Sequence, residues 1–208
     1  MAIKKLYQKA LFRAFERYES LVLSPMRKLF WRLQGADIGR GTKVPRLTRM
    51  NWPHQVQIGE GCHLEPGINF NYDGIWKPGP SIVLGRKVYV GSGCEFNISD
   101  EITIGDDCLI AAGCRFIDHN HGLLDRERPT RSQLCTHKAI VLEKDVWLGV
   151  NVVVLQGVTI GEGSVVGAGS VCTKPIPPGE IWAGVPARKI RDRSETPGRI
   201  RGASGRGA

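Results

Sequence analysis

Two histidines one residue apart, in the run Phe116-Ile117-Asp118-His119-Asn120-His121-Gly122, are the side chains of this sequence best suited to moving a proton. Imidazole, with an unperturbed pKa of about 6.5, is largely neutral near physiological pH and so serves as a general base. Strand-like alternation would put His119 and His121 on one face, one taking a proton and the other orienting a substrate. Asp118 either holds an imidazole tautomer or caps a turn. A His-x-His pair also occurs among metal ligands, and His54, His63 and His137 are the remaining histidines. The six cysteines include no paired CxxC spacing of the zinc or redox kind, and no metal is assigned.

The element that must position these residues is a repeat. Leu142-Glu143-Lys144-Asp145-Val146-Trp147 is followed by Leu148-Gly149-Val150-Asn151-Val152-Val153, and the same six-residue pattern starts again at Val154, Ile160 and Val166. A hexapeptide period predicts a parallel β-helix in which three units make one triangular coil of about eighteen residues, stacked at ~4.8 Å. The aliphatic position and the position four residues later should point inward. Gly85, Gly105, Gly161 and Gly167 follow the aliphatic residue at a corner, where positive backbone dihedrals are expected.

The register runs back to Ile38-Gly39 and breaks at residues 69–81, at two extra residues between Phe96 and Ile104, and at residues 118–138. So strict a repeat takes insertions at its corners, where they protrude as loops, and loops on rigid scaffolds commonly carry chemistry. The histidine pair opens the longest one. The loop Asn69-Phe70-Asn71-Tyr72-Asp73-Gly74-Ile75-Trp76-Lys77 mixes aromatic and polar groups as sugar sites do.

Residues 1–36 read as a separate, basic amphipathic helical segment. Ile3, Leu6, Tyr7, Ala10, Leu11, Ala14, Phe15 and Tyr18 recur at spacings of three and four, among Lys4, Lys5, Lys9, Arg13 and Arg17. Ser24-Pro25 should break the helix, with Met26, Leu29, Phe30 and Leu33 forming a second short piece beside Arg27, Lys28 and Arg32. This segment either covers the apolar end of the β-helix, touches a neighbouring subunit, or makes a peripheral contact with an anionic membrane through residues 1–34. Residues 37–191 are the β-helix domain. Residues 192–208 form a basic tail whose composition predicts disorder.

The formal net charge is +9, but no aromatic-studded binding module or recognition motif accompanies it, and nucleic acid is not expected as a partner. Cys62, Cys94, Cys108 and Cys114 fall on inward small positions and Cys172 on an inward aliphatic one; Cys135 lies in the long loop and reads as an inert thiol. There is neither an apolar run of about eighteen residues nor a signal-peptide pattern, so a cytoplasmic location is expected, with any membrane contact peripheral and on the inner face.

Val146-Trp147-Leu148-Gly149, Val158-Thr159-Ile160-Gly161, Val166-Gly167-Ala168-Gly169-Ser170-Val171, Thr173-Lys174-Pro175-Ile176-Pro177-Pro178-Gly179 and Ala183-Gly184-Val185-Pro186-Ala187-Arg188 resemble the hexapeptide-repeat acyltransferases. The resemblance is greatest to the branch of galactoside, maltose and nodulation-factor O-acetyltransferases with the capsular and exopolysaccharide acetyltransferases. It covers residues from about Ile38 to Arg191 and leaves out the first helix. It implies an all-β, left-handed parallel β-helix, an exception to the usual crossover hand. It also implies a homotrimer holding acetyl-CoA, as co-substrate, in a groove between subunits.

The implied reaction moves acetyl from acetyl-CoA to a hydroxyl of a sugar, or of a polysaccharide or lipid-linked glycan precursor, by direct attack. His121 matches the family's catalytic base, with His119 and Asp118 beside it. Trp147 matches the tryptophan beside the pantetheine arm. The amides near Gly149 and Val150 match the site receiving the thioester oxygen, although the family often has serine where this chain has Val150. Gly167, Ala168, Thr173 and Lys174 match the cofactor wall, and Arg188 and Arg191 match basic residues near its phosphates. Three other readings stay open: an amino-sugar N-acetyltransferase, a γ-class carbonic anhydrase using a related β-helix and three histidines, and a non-catalytic β-helix scaffold.

Overall fold

The computed structural model describes residues 2–194, without the side chains of residues 2–6 and 16. The side chains of the predicted apolar positions Ile3 and Leu6, and the basic tail from residue 195 onward, therefore lie outside what is described.

The hexapeptide period becomes three sheets of parallel strands wrapped around one core. The first sheet stacks Asp37–Ile38, Val56–Ile58, Ile82–Leu84, Ile102–Ile104, Ile140–Leu142 and Thr159–Ile160. The second runs from His63–Leu64 through Tyr89–Val90, Leu109–Ile110, Trp147–Leu148 and Val165–Val166 to Glu180–Ala183. The third stacks Arg49–Met50, Asn69–Tyr72, Glu95–Ile98, Arg115–Ile117, Val153–Leu155 and Val171–Cys172. Chain order visits the sheets in turn, so each coil lays its strands directly on those of the coil before.

Both inward positions of the repeat are filled as expected. Leu142, Val146, Leu148, Val152, Val154, Val158, Ile160, Ser164, Val166 and Ser170 are all buried. Phe70, Phe96 and Phe116 stack with ring centroids 4.9 and 4.8 Å apart. That is the strand spacing itself, so identical residues in register make a continuous aromatic column. Cys62, Cys94, Cys108, Cys114 and Cys172 are buried free thiols, and Cys135 is exposed. Burial pushes the Cys108 thiol up to about 11 and the Cys172 thiol up to about 12, which keeps them protonated and unreactive.

The corner glycines work differently from the expectation. Positive φ falls two residues later than predicted, at Lys87 (56°), Asp107 (58°), Gly163 (71°) and Gly169 (68°), and not at Gly85, Gly105, Gly161 or Gly167. These earlier glycines are places where adjacent coils nearly touch: a Cβ on Gly161 would lie 2.4 Å from the Pro178 nitrogen. Close approach, not left-handed backbone, is what excludes a side chain there.

At the N-terminal end, α1 (Ala2–Tyr18) passes through a π-helical turn, Glu19–Leu23, into α2 (Ser24–Leu33). The helix is thus continuous across Ser24-Pro25, contrary to the predicted break. Proline lacks an N–H and crowds the carbonyl four residues back; the wider turn before it, in which the Ser24 N–H donates to the Glu19 carbonyl, relieves both demands.

α2 lies on the first coil with its polar side inward. Arg32 donates to the Ile38 carbonyl, Lys28 to the Gly39 carbonyl and Arg27 to the Val44 carbonyl, while the Ser24 hydroxyl accepts the Val44 N–H at 2.8 Å. Trp31 packs against the buried cluster. At the other end, Arg188–Asp192 runs antiparallel beside Glu180–Ala183.

Candidate active site

Every departure from the repeat falls on one edge of the prism, between the end of a third-sheet strand and the start of a first-sheet strand. The chain leaves at Met50, Tyr72, Ile98 and Ile117 and returns at Val56, Ile82, Ile102 and Ile140. Four excursions on successive coils therefore lie one above another. The strand Asn69–Tyr72 still pairs in register with Glu95–Ile98, so the second excursion occupies residues 73–81 and starts later than the sequence pattern implies.

The first three excursions are braced by polar contacts. Gln55, fully buried, donates to the Lys77 carbonyl at 2.6 Å and accepts from the Ser81 hydroxyl at 2.8 Å. Outward-facing asparagines form a ladder beside them, Asn51 to Asn71 at 2.8 Å and Asn71 to Asn97 at 2.7 Å. The fourth excursion is a hairpin in which His119–Asn120 pairs antiparallel with Thr136–His137.

Asp118 joins hairpin to prism. Its side chain is fully buried and accepts backbone N–H bonds from Ser99 at 2.8 Å, Asp100 at 2.7 Å and Glu101 at 3.0 Å. The same carboxylate lies 3.1 Å from His119 Nδ1. Asp118 thus caps the turn at residues 99–101 and lies within hydrogen-bond distance of the His119 ring. His119 Nε2 faces Asp73 Oδ2 at 3.9 Å, and Asp73 accepts a hydrogen bond from the Ser99 hydroxyl. His119 is thus largely enclosed, with a carboxylate near each ring nitrogen. His121 is exposed, with Nδ1 3.5 Å from the Cys135 thiol, and borders a cavity of about 380 Å³ lined also by Leu124, Asp125 and Leu134.

Three neighbours of the histidines escape a sequence reading: Asp73, Cys135 and His137, whose ring centroid lies 6.4 Å from that of His119. Asp73 sits in the loop singled out for its sugar-site composition, but its pairing with His119 spans two coils and leaves no local pattern. Among the described residues no three His, Cys, Asp or Glu side chains converge in a metal-holding arrangement.

The other predicted residues lie elsewhere on the prism. Trp147 is on the outer face of the second sheet, about half exposed, between Leu109 and Val165. Gly149 and Val150 turn the corner from second to third sheet, and Gly167 and Ala168 turn the same corner one coil later. The Gly169 N–H donates to the Val150 carbonyl at 2.8 Å, and a Cβ on Gly149 would lie 2.6 Å from the Ala168 nitrogen. Thr173 and Lys174 are exposed on the excursion edge, with Lys174 Nζ 5.3 Å from the Trp182 ring centroid. Arg188 and Arg191 are on the last strand, donating to the Ala187 and Asp192 carbonyls at 2.9 and 3.0 Å. Within one chain, then, the histidines and the Trp147–Val150 and Gly167–Ala168 residues occupy different edges.

Three stacked parallel sheets built from six-residue units define a hexapeptide-repeat β-helix protein. The pattern described as bacterial transferase hexapeptide (six repeats) matches residues 139–174, and the hexapeptide repeat of succinyl-transferase matches residues 81–115. Over these residues the chain is similar to the hexapeptide-repeat transferases, and its relatives include galactoside O-acetyltransferases.

It is 36% identical over 135 residues to the galactoside O-acetyltransferase of Escherichia coli strain K12, covering 65% of this chain and 63% of that one. It is 42% identical over 99 residues to a putative lipopolysaccharide biosynthesis O-acetyl transferase of the same strain, covering 44% of this chain and 50% of that one. These alignments span less than two thirds of each curated relative. Among solved structures, a hexapeptide-repeat-containing acetyltransferase from Vibrio cholerae O1 biovar eltor, complexed with acetyl coenzyme A, is 29% identical. It superposes with a TM-score of 0.60, covering 93% of this chain and 90% of that one.

Proposed function

We propose that this protein is an acetyl-CoA-dependent O-acetyltransferase acting on a hydroxyl of a sugar in a glycan or its lipid-linked precursor. The observation that carries the reading is the histidine hairpin, seated by buried Asp118 on an edge where all the excursions gather. The galactoside and lipopolysaccharide O-acetyltransferase relatives support a sugar acceptor, and the acetyl coenzyme A complex of the Vibrio relative supports the donor.

In this reading the chain is a left-handed coil and works as a homotrimer. The separation of the histidine edge from the Trp147 and Gly149 edge favours a groove built from two copies, one contributing each edge. The exposed apolar stripe of Leu109 and Trp147 on the second sheet supports a neighbouring subunit there. Trp147 flanks the pantetheine arm, and Gly167, Ala168, Thr173 and Lys174 line its path. Arg188 and Arg191 face the phosphates.

His121 is the base. Its exposure leaves the ring open to an acceptor hydroxyl, whereas His119, flanked by two carboxylates, is suited to holding the acceptor. The hydroxyl oxygen attacks the thioester carbonyl as His121 takes its proton, the oxyanion is held by the amides near Gly149 and Val150, and collapse expels the CoA thiolate, which recovers the proton.

Thermal denaturation with and without acetyl-CoA tests the donor, since a ligand that binds only the folded state stabilises by about 2.7 kcal/mol at a hundred times its Kd. Mass spectrometry of hydroxyl-only and amino-sugar acceptors then tests the product. A mass gain of one acetyl on the hydroxyl acceptors is expected. Acetylation confined to the amines would replace the reading with N-acetyl transfer, and no thermal shift at millimolar donor would end it.

A further inference from the structure

α2 is amphipathic in the reverse sense from most surface helices. Its cations and Trp31 face the first coil, while Met26, Leu29, Phe30 and Leu33 face away from the protein, with Leu33 80% exposed. α1 continues the same theme, with Leu11 and Tyr18 more than half exposed on its apolar stripe. Water solvates such a face poorly, and a contiguous exposed apolar surface of this kind marks an interaction site.

Charge selects the occupant. Residues 2–33 contain eight Lys and Arg against two Asp and Glu. Arg27, Lys28 and Arg32 are engaged by first-coil carbonyls, whereas Lys9, Arg13 and Arg17 on α1 are exposed. A second copy on this face would bring two strongly positive segments together. An anionic lipid surface offers both a hydrocarbon boundary for the aromatic and aliphatic side chains and negative headgroups for the cations. No helix among the described residues is long and apolar enough to cross a membrane, so the segment would lie in the plane of the headgroups.

We infer that the α1–α2 segment docks this end of the prism on an anionic lipid surface. α2 acts as a rigid shoe, bonded to the first coil on one side and immersed on the other. This goes beyond acetyl transfer and does not depend on it.

Flotation of the full chain with phosphatidylcholine vesicles, with and without phosphatidylglycerol, tests the inference, alongside the double variant Phe30→Ser/Leu33→Ser. Both substituted side chains are outward-facing, and unchanged circular dichroism would establish that the variant folds. The expected result is binding to the phosphatidylglycerol vesicles at low salt, weakened about tenfold by the double variant and again by removing the anionic lipid. Absence of flotation with either vesicle would overturn it. So would equal binding to both vesicle types, or a concentration-dependent self-association of the wild type that the double variant abolishes, which would give the face to a second copy.

Discussion

Two edges of the same prism receive the same backbone ladder and are used in opposite ways. Between the second and third sheets, Gly149 and Gly167 let successive coils meet so closely that a methyl group has no room, and no insertion occurs. Between the third and first sheets, four successive coils open into excursions that carry Gln55, Asp73, Asp118, His119 and His121. A stacked fold thus separates precision from variety. The tight edge offers smooth backbone along which a long ligand can lie, and the open edge offers side chains. One chain keeps them apart, which is why the proposed site draws one edge from each of two copies.

The largest effect expected from breaking this division is at His121. Replacing it with alanine should lower kcat by about 10²- to 10⁴-fold while the acetyl-CoA thermal shift persists, because the proposed function puts the base on one edge and the donor on the other. Near-normal turnover in that variant would transfer the base to His119. Next is Asp118→Ala, which strips an acceptor from three backbone N–H groups and from His119. Urea denaturation should show a loss of about 3 kcal/mol together with reduced turnover; a fall in turnover with unchanged stability would mean the turn at residues 99–101 does not depend on it.

Gly149→Ala probes the tight edge and should cost about 1–3 kcal/mol by overpacking against Ala168, together with weaker donor binding. Full tolerance would show that the coils there have slack. The smallest effect is at Leu124, almost wholly exposed on the open edge: Leu124→Ser should change unfolding free energy by no more than about 0.5 kcal/mol. A larger loss would show that the hairpin tip is packed in the working assembly.

The coil interior is legible in the sequence because the period constrains each inward residue twice, by its own chain and by the coils on either side. Phe70, Phe96 and Phe116 show it: equivalent positions, hence one column. The breaks are legible as breaks, and the histidines as a pair. Partnerships between excursions are not, since Asp73 meets His119 only after two coils have stacked. Periodicity also marks a helical stripe without saying which side meets the protein, and so the inversion of α2 is invisible before the first-coil carbonyls are in place. The corner glycines mislead for a related reason. One residue type serves both positive φ and close approach, and only the position of the neighbouring coil distinguishes them.

The antiparallel return of Arg188–Asp192 beside Glu180–Ala183 answers, at the edge of the second sheet, a problem that every stacked coil faces. Each coil is a template for the next, and nothing in a ladder of parallel strands tells it where to stop. An uncovered terminal rung would invite another molecule to add itself, and repetition of that step is how cross-β fibres elongate. By reversing direction and lining the last strand with Arg188, Lys189, Arg191 and Asp192, the chain gives its second sheet an edge strand that does not match its own beginning. At that sheet the last coil offers no template for a further parallel rung.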